Sequence, residues 1–324
     1  MLALRLQTAT EADAMALFFG SQIPGNDTTW EAMKSVAEVM DGGRWTSAWT
    51  FDHFVPPLPF LDEAGDCLEG WTTLIGLAVS TDRLRWGCIV TGNTYRNPAL
   101  LAKMAATTDQ MTNGRLELGI GAAWHQREHE AYGWDFPSIR ERSDRLEEAC
   151  ALIHALFTTD GPVDFEGRYY RLGKAPFAPK CVQRPHLPIM VGGGGERRTL
   201  LTLAKYGDVM NVQGTPDAVK HKIEVLEKHC DNIGRDPTEI SRTVFLPVAL
   251  QDDPQKAAHL RGLFGAGMAE QDRDRHLPIG TAEHIINVFR SYEASGVQGI
   301  IFQGIPNTPR LYQQLDQEVL AAFE

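Results

Sequence analysis

The chain has 324 residues, 43% of them hydrophobic and 23% charged, with a formal net charge of −11 at pH 7. This is enough apolar material for a large core, and a closed α/β barrel absorbs it as a single domain over residues 1–324. The acidic balance excludes a nucleic-acid or anionic-membrane surface, because both need a cationic footprint, and it reads as solubility. Cys67, Cys88, Cys150, Cys181 and Cys230 are scattered and without CxxC spacing, which suits reduced thiols in a cytosolic protein. The opening MLALRLQTATEADAMALFF lacks the apolar stretch of a signal peptide, and no window approaches the roughly 18 apolar residues of a membrane span. The expectation is a cytoplasmic protein that acts on a small molecule, with no membrane or nucleic-acid partner.

In chain order, residues 14–23 form an apolar strand closed by Pro24 and Gly25, followed by a helix over 30–40 that Asp27 or Thr28 caps. Residues 45–51 make a second strand, which runs into Asp52, His53, Phe54 and a proline-rich loop; residues 71–79 make the second helix. Residues 85–91 and 115–121 are short apolar strands, and the helix between them, 98–111, places Leu101, Met104, Ala105 and Thr108 on one face. Together they form a βαβ unit with a parallel crossover. A short helical turn at 125–132 precedes a strong helix at 140–157, with Leu146, Ala149, Ile153 and Leu156 inward. Residues 161–172 alternate around two turn glycines, so a hairpin interrupts the main sheet.

Strand five at 188–191 ends in Gly192, Gly193, Gly194 and Gly195, and a helix follows from near Glu196 to Tyr206. Strand six at 208–212, a helix at 216–233 ended by Gly234, strand seven at 240–250, helices at 254–268 and 281–295, strand eight at 299–303 and a helix at 309–323 complete the chain. Eight strands alternating with helical segments predict a (β/α)8 TIM barrel with one or two insertions, its chemistry on the loops after the strands. A doubly wound sheet is the alternative.

His125, Glu128 and His129 fit the H-x-x-E-H pattern of inverted zinc peptidases. No downstream residue completes a ligand set, so the pattern predicts a charged, partly exposed helix face and no metal; a zinc hydrolase on His125 and His129 is a rival reading. The four glycines let a backbone approach a phosphate at a helix N-terminus. Arg197 and Arg198 in the first helical turn, where cations sit badly with the helix dipole, favour that over a merely flexible turn. Neither a Walker A nor a Rossmann fingerprint is present. His53 beside Asp52 offers an acid, a base or a hydrogen-bond donor, against an exposed pair on a loop. Trp45, Trp49, Phe54 and Trp124 lie near the same strand ends; most such aromatics are core, but one or two would wall a flat ring system.

The run VTGNTYRNPALLAKMAATTDQMTNGRLELGIGAAWHQREHEAYG, with Asp52, His53 and Phe54, FEGRYYRL and PIMVGGGGERRTLLTLAKYGDVMNVQGTP, resembles the luciferase-like monooxygenase superfamily. More narrowly, it resembles the oxidoreductases of that superfamily that use the deazaflavin coenzyme F420. The likeness covers residues 45–240. It implies a TIM barrel binding a flavin or deazaflavin across its C-terminal face, the ring backed by a bulge in strand three that often carries a non-prolyl cis peptide. That bulge is expected among Cys88, Ile89, Val90 and Thr91, with Asn93, Thr94 and Arg96 on the same rim. The cofactor phosphate is expected at Gly193, Gly194 and Gly195, beside Val212, Gln213 and Gly214.

His53 matches an active-site histidine of the superfamily's deazaflavin-dependent sugar-phosphate and alcohol dehydrogenases. Those enzymes place a glutamate just after strand four, where this chain has Trp124, so a proton-donating carboxylate at that point and a sugar-phosphate substrate do not carry over. The resemblance implies an F420-dependent oxidoreductase moving a hydride between the deazaflavin C5 and an organic substrate. His53 and Asp52 would be catalytic, and Ile89, Val90, Thr91, Asn93, Trp124, Gly193, Gly194, Gly195, Val212 and Gly214 would hold the cofactor. Alternatives are a reduced-FMN monooxygenase fed by a flavin reductase and a non-catalytic flavin-binding protein. A homodimer is usual for the family.

Overall fold

In the computed structural model, which describes residues 17–324, the short apolar segments become strands and the amphipathic segments between them become helices. The barrel strands are β1 (Phe18–Gln22), β2 (Ser47–Thr50), β3 (Arg85–Cys88, resuming at Thr91–Gly92), β4 (Leu116–Gly121), β5 (Ile189–Gly192), β6 (Val209–Val212), β7 (Ser241–Pro247) and β8 (Gly299–Gln303). Each pairs in parallel with the next, and β8 returns to β1 through Phe18↔Gly299, so the sheet closes as the (β/α)8 barrel that the pattern predicts. Residues 14–16 of the expected first strand lie outside the described residues.

The outer layer consists of α1 (Trp30–Gly42), α2 (Gly70–Val79), α3 (Pro98–Met111), α4 (Gln126–Tyr132), α5 (Ile139–Thr158), α6 (Thr199–Tyr206), α7 (Pro216–Ile233), α8 (Pro254–Phe264), α9 (Glu270–His276), α10 (Ala282–Ala294) and α11 (Pro309–Glu318). Their starts and stops follow local chemistry. In α7 the Thr215 side chain accepts the Ala218 amide, Pro216 opens the first turn, and Gly234 closes the helix at φ 71°. Strand alternation separates two cores. Trp49, Ile89, Met190, Val209 and Ile301 fill the barrel lumen, while the larger core lies between strands and helices. Among the described residues no helix is long and apolar enough to cross a membrane.

Several boundaries differ from the sequence pattern. Strand seven ends at Pro247, and Ala249–Leu250 leaves the barrel to pair with Ile279–Gly280. The helix expected over 254–268 stops at Phe264, and after a segment containing Gly267 at φ 91° the separate α9, which the sequence pattern does not show, begins at Glu270. The helix after the glycines begins at Thr199, so Arg197 and Arg198 precede it instead of lying in its first turn, and Arg198 is taken by Asp144. The helix-dipole argument for those arginines therefore fails. Trp45 is wholly buried against Phe302 and Tyr312, and Trp49 points into the lumen, so both are core.

One irregularity shapes the rim. Between Gly87↔Glu117 and Thr91↔Ile120 the register advances four residues on β3 and three on β4, which leaves one extra residue on β3. This is the expected bulge, and the Ile89–Val90 peptide within it is cis. Gly119, Gly121 and Gly192 make room for it: a Cβ on Gly121 or Gly192 would meet a Val90 methyl at 2.7 Å. All eight strands point their C-terminal ends to one face, where the site is assembled.

Candidate active site

The ends of β2 and β4 meet through a buried carboxylate. Glu128, in the first turn of α4, has no exposed side-chain surface. Its Oε1 accepts the backbone amides of Phe54 and of Val55, the latter at 3.2 Å. Its Oε2 accepts the Tyr95 hydroxyl at 2.6 Å and lies 3.1 Å from His53 Nδ1. Burial opposes the Glu128 charge, yet the His53 ring, the Phe54 amide and the Tyr95 hydroxyl hold its carboxyl below the ordinary range. Burial and the same carboxylate push the Tyr95 hydroxyl up, so it remains a donor.

His53 follows β2 by three residues, and its side chain is 15% exposed. Its ring stands edge-on to Trp124, with centroids 5.4 Å apart, and to His125 at 5.8 Å. Trp124 is itself 59% exposed, at the β4 end where the wall of a flat ring is expected. Below His53, Cys67 Sγ reaches the His53 carbonyl at 3.5 Å, and burial pushes this thiol up to about 12.

Asp52 does not share the environment of His53. Neighbouring residues of an extended chain point to opposite sides, and Asp52 turns away to accept from Arg96 Nη1 at 2.5 Å and from the Gly92 amide at 3.2 Å. Burial raises its carboxyl above the ordinary range, with Arg96 pulling the other way. Arg96 also donates to Glu69, which caps α2. Asp52, expected as catalytic, therefore sits in an ion pair that ties the β2, β3 and α2 ends together.

The H-x-x-E-H pattern resolves differently from a zinc pair. His129 is fully buried, with Nε2 2.7 Å from the Thr94 hydroxyl and Nδ1 2.8 Å from the His125 carbonyl, so both ring nitrogens are occupied. The glutamate between the histidines is the group that reaches the rim. Ligand atoms of His53, His125 and Glu128 do fall within 4.8 Å of one another, but the carboxylate already serves three donors, the Phe54 and Val55 amides and the Tyr95 hydroxyl.

Of the residues expected to hold a cofactor, Ile89, Val90, Thr91 and Asn93 all lie on the bulged β3 end. Thr91 is wholly buried, its hydroxyl accepting from Trp71, so it braces the rim. Asn93 donates to the Tyr170 hydroxyl at 3.1 Å and keeps a buried Oδ1 without a partner among the described residues. Across the rim, Gly193 has φ 116° and donates to the Asn211 carbonyl, while the amides of Gly194 and Gly195 meet no acceptor among the described residues. Lys222 Nζ, from α7, lies 2.9 Å from the Gly194 carbonyl. Val212 is packed into the core, which leaves only its backbone to a ligand, and Gly214 is exposed at φ 142°. Amides without acceptors, an adjacent lysine and an orphaned amide oxygen suit a flat ring with an anionic tail. Tyr95 and Lys222 are absent from the sequence-based site, and Arg96 is expected on the rim without its pairing to Asp52; their partners lie far away in the chain.

The class is that of (β/α)8 barrels with the site on the C-terminal rim. Within it, the chain belongs to the luciferase-like monooxygenase family, matching over residues 11–276. It is 30% identical over 228 residues to an F420-dependent glucose-6-phosphate dehydrogenase of Amycolatopsis mediterranei, covering 65% of this chain and 62% of that protein. A Kineococcus radiotolerans protein of the same description is 32% identical over 243 residues, covering 73% and 69%. An F420-dependent hydroxymycolic acid dehydrogenase of Mycobacterium tuberculosis is 29% identical over 238 residues, covering 72% and 64%. The matches thus span about two thirds of the relatives' length. In fold, the chain superposes on an F420-dependent secondary alcohol dehydrogenase with a TM-score of 0.82 at 20% identity, over 96% of this chain and 98% of that one.

Proposed function

We propose that this chain is an F420-dependent oxidoreductase that moves a hydride between the deazaflavin and a small organic substrate. The observation that carries the reading is the pairing, on one rim, of an imidazole backed by a buried carboxylate with a glycine cradle in which the Gly194 and Gly195 amides meet no acceptor among the described residues. The family membership and the F420-dependent relatives support the choice of cofactor. When bound, F420 supplies hydride chemistry at C5; the protein supplies position and electrostatics.

In this reading the backbone at Gly193, Gly194 and Gly195 receives the anionic tail, helped by Lys222. The bulge at Ile89 and Val90 backs the ring, with the Asn93 oxygen beside it. Trp124 walls the substrate side, and His53 handles the substrate's proton. The reading extends to a cytoplasmic homodimer.

A fluorescence titration of the purified protein with F420 and, separately, with FMN tests the proposal. Tight F420 binding and weak FMN binding are expected. Tight FMN binding without affinity for F420 would replace it with the reduced-FMN monooxygenase.

A further inference from the structure

We propose that Glu128 is the positioning residue for His53, fixing the imidazole as the tautomer that carries its proton on Nδ1 and leaves Nε2 as the proton acceptor toward the substrate. This rests on the oxidoreductase reading above and deepens it. The Phe54 amide, the Val55 amide and the Tyr95 hydroxyl can only donate to Glu128, so the carboxylate is a fixed acceptor wherever the ring lies. A ring nitrogen 3.1 Å from such an oxygen carries the hydrogen. His125 Nδ1, at 3.7 Å from the same oxygen, is beyond hydrogen-bond distance and does not compete. Trp124 and Phe51 stand edge-on to the imidazole and restrict its plane. Nε2 then has no partner among the described residues.

The titratable and charged groups around this pair are few. His125 and Tyr95 face Glu128, Cys67 lies under the His53 carbonyl, Asp52 and Arg96 stand beyond Tyr95, and Glu63 lies beyond His125. None of them offers His53 Nδ1 a second acceptor.

The arrangement makes sense of Trp124. A carboxylate facing the substrate after β4 is missing, and one stands behind the imidazole instead. In the oxidation direction, His53 Nε2 would take the hydroxyl proton of an alcohol, and bound F420 would supply the acceptor for the carbinol hydride as the alcohol becomes a carbonyl. His53 becomes imidazolium, and Glu128 remains a carboxylate throughout. An anion at Nδ1 stabilises that imidazolium without itself taking the proton, the logic by which a buried aspartate supports the histidine of a serine hydrolase.

Nitrogen-15 NMR of histidine-labelled protein tests this without substrate or cofactor, with the His53→Gln spectrum assigning the ring. In the neutral ring, a protonated Nδ1 and a bare Nε2 are expected. Glu128→Gln, whose amide can donate as well as accept, should relax that preference to a mixture of the two tautomers, read as intermediate nitrogen shifts. Tyr95→Phe removes one donor from the carboxylate and should leave the Nδ1-protonated ring in place. F420 affinity should be unchanged in both variants. A lone pair on Nδ1 in the wild type, or an unchanged tautomer in Glu128→Gln, overturns the proposal. If Glu128→Gln does not fold, the wild-type tautomer and Tyr95→Phe decide it. Failure of the wild type to bind F420 would sink the cofactor reading alone.

Discussion

The two halves of the barrel rim are built in opposite ways. At the ends of β2, β3 and β4 the candidate groups are side chains, largely buried and held by one another: Glu128 serves three donors and meets the His53 ring, and Asp52 pairs with Arg96. At the ends of β5 and β6 they are backbone amides on partly or fully exposed glycines. The first half keeps charge away from water, so that one imidazole has one protonation pattern. In the proposed reading the second lets an anion arrive and leave, and open backbone serves that better than fixed charge. Damage to the first half should therefore appear in chemistry or folding, and damage to the second in affinity.

His53→Ala tests the division most severely. It should lower turnover at least about 100-fold, the scale of general acid–base catalysis, while F420 affinity in a fluorescence titration hardly moves. Comparable losses in both would erase the distinction between the halves. Arg96→Ala strands the buried Asp52 charge and should destabilise the fold by about 3–5 kcal/mol in thermal unfolding; replacing both residues by alanine should recover much of that loss. If the double variant is no more stable than the single one, the pair is not the cause.

The buried glutamate also sets an acid limit. The Glu128 carboxyl is held below its ordinary value, so its contribution to stability is complete above about pH 4.3 and is lost as pH falls through the lower folded-state value. Glu128→Gln should flatten acid unfolding in that window, as followed by circular dichroism.

On the other side, Gly193→Ala at φ 116° should weaken F420 binding about tenfold, roughly the 1–2 kcal/mol of a residue forced into left-handed backbone. Turnover at saturation should be unchanged. Lys222→Met, which removes a single donor near Gly194, should weaken binding only about threefold, since a half-exposed hydrogen bond is worth about 0.5–1.5 kcal/mol. A large fall in turnover from either would show that the cradle takes part in chemistry.

How far each half could be read from the sequence follows from the same contrast. The glycine cradle was visible because its chemistry is local: four consecutive glycines after an apolar strand suffice. The bulge in β3 was visible only through the family resemblance. The Glu128 site was hidden because its partner His53 lies 75 residues away and its role depends on the phase of α4. The H-x-x-E-H spacing drew attention to two histidines, yet one of them turns inward to Thr94, and the residue between them makes the contact that matters. Asp52 and His53 are adjacent in sequence, yet alternation along an extended chain sends the Asp52 side chain to Arg96 and not to the imidazole. The barrel itself followed from strand and helix periodicity, and its boundaries failed where single residues such as Pro247 and Gly267 redirect the chain.

Glu128 stands on a helix of only seven residues, and the carboxylate that orients the imidazole also clasps the loop after β2. The two segments must therefore breathe together. Whenever α4 lifts, the Phe54 and Val55 amides are released in the same event, and the imidazole loses its reference. The backbone thus carries a gauge of this site: both amides should show one common opening free energy in deuterium exchange, and that value measures how seldom the imidazole leaves its proposed working state.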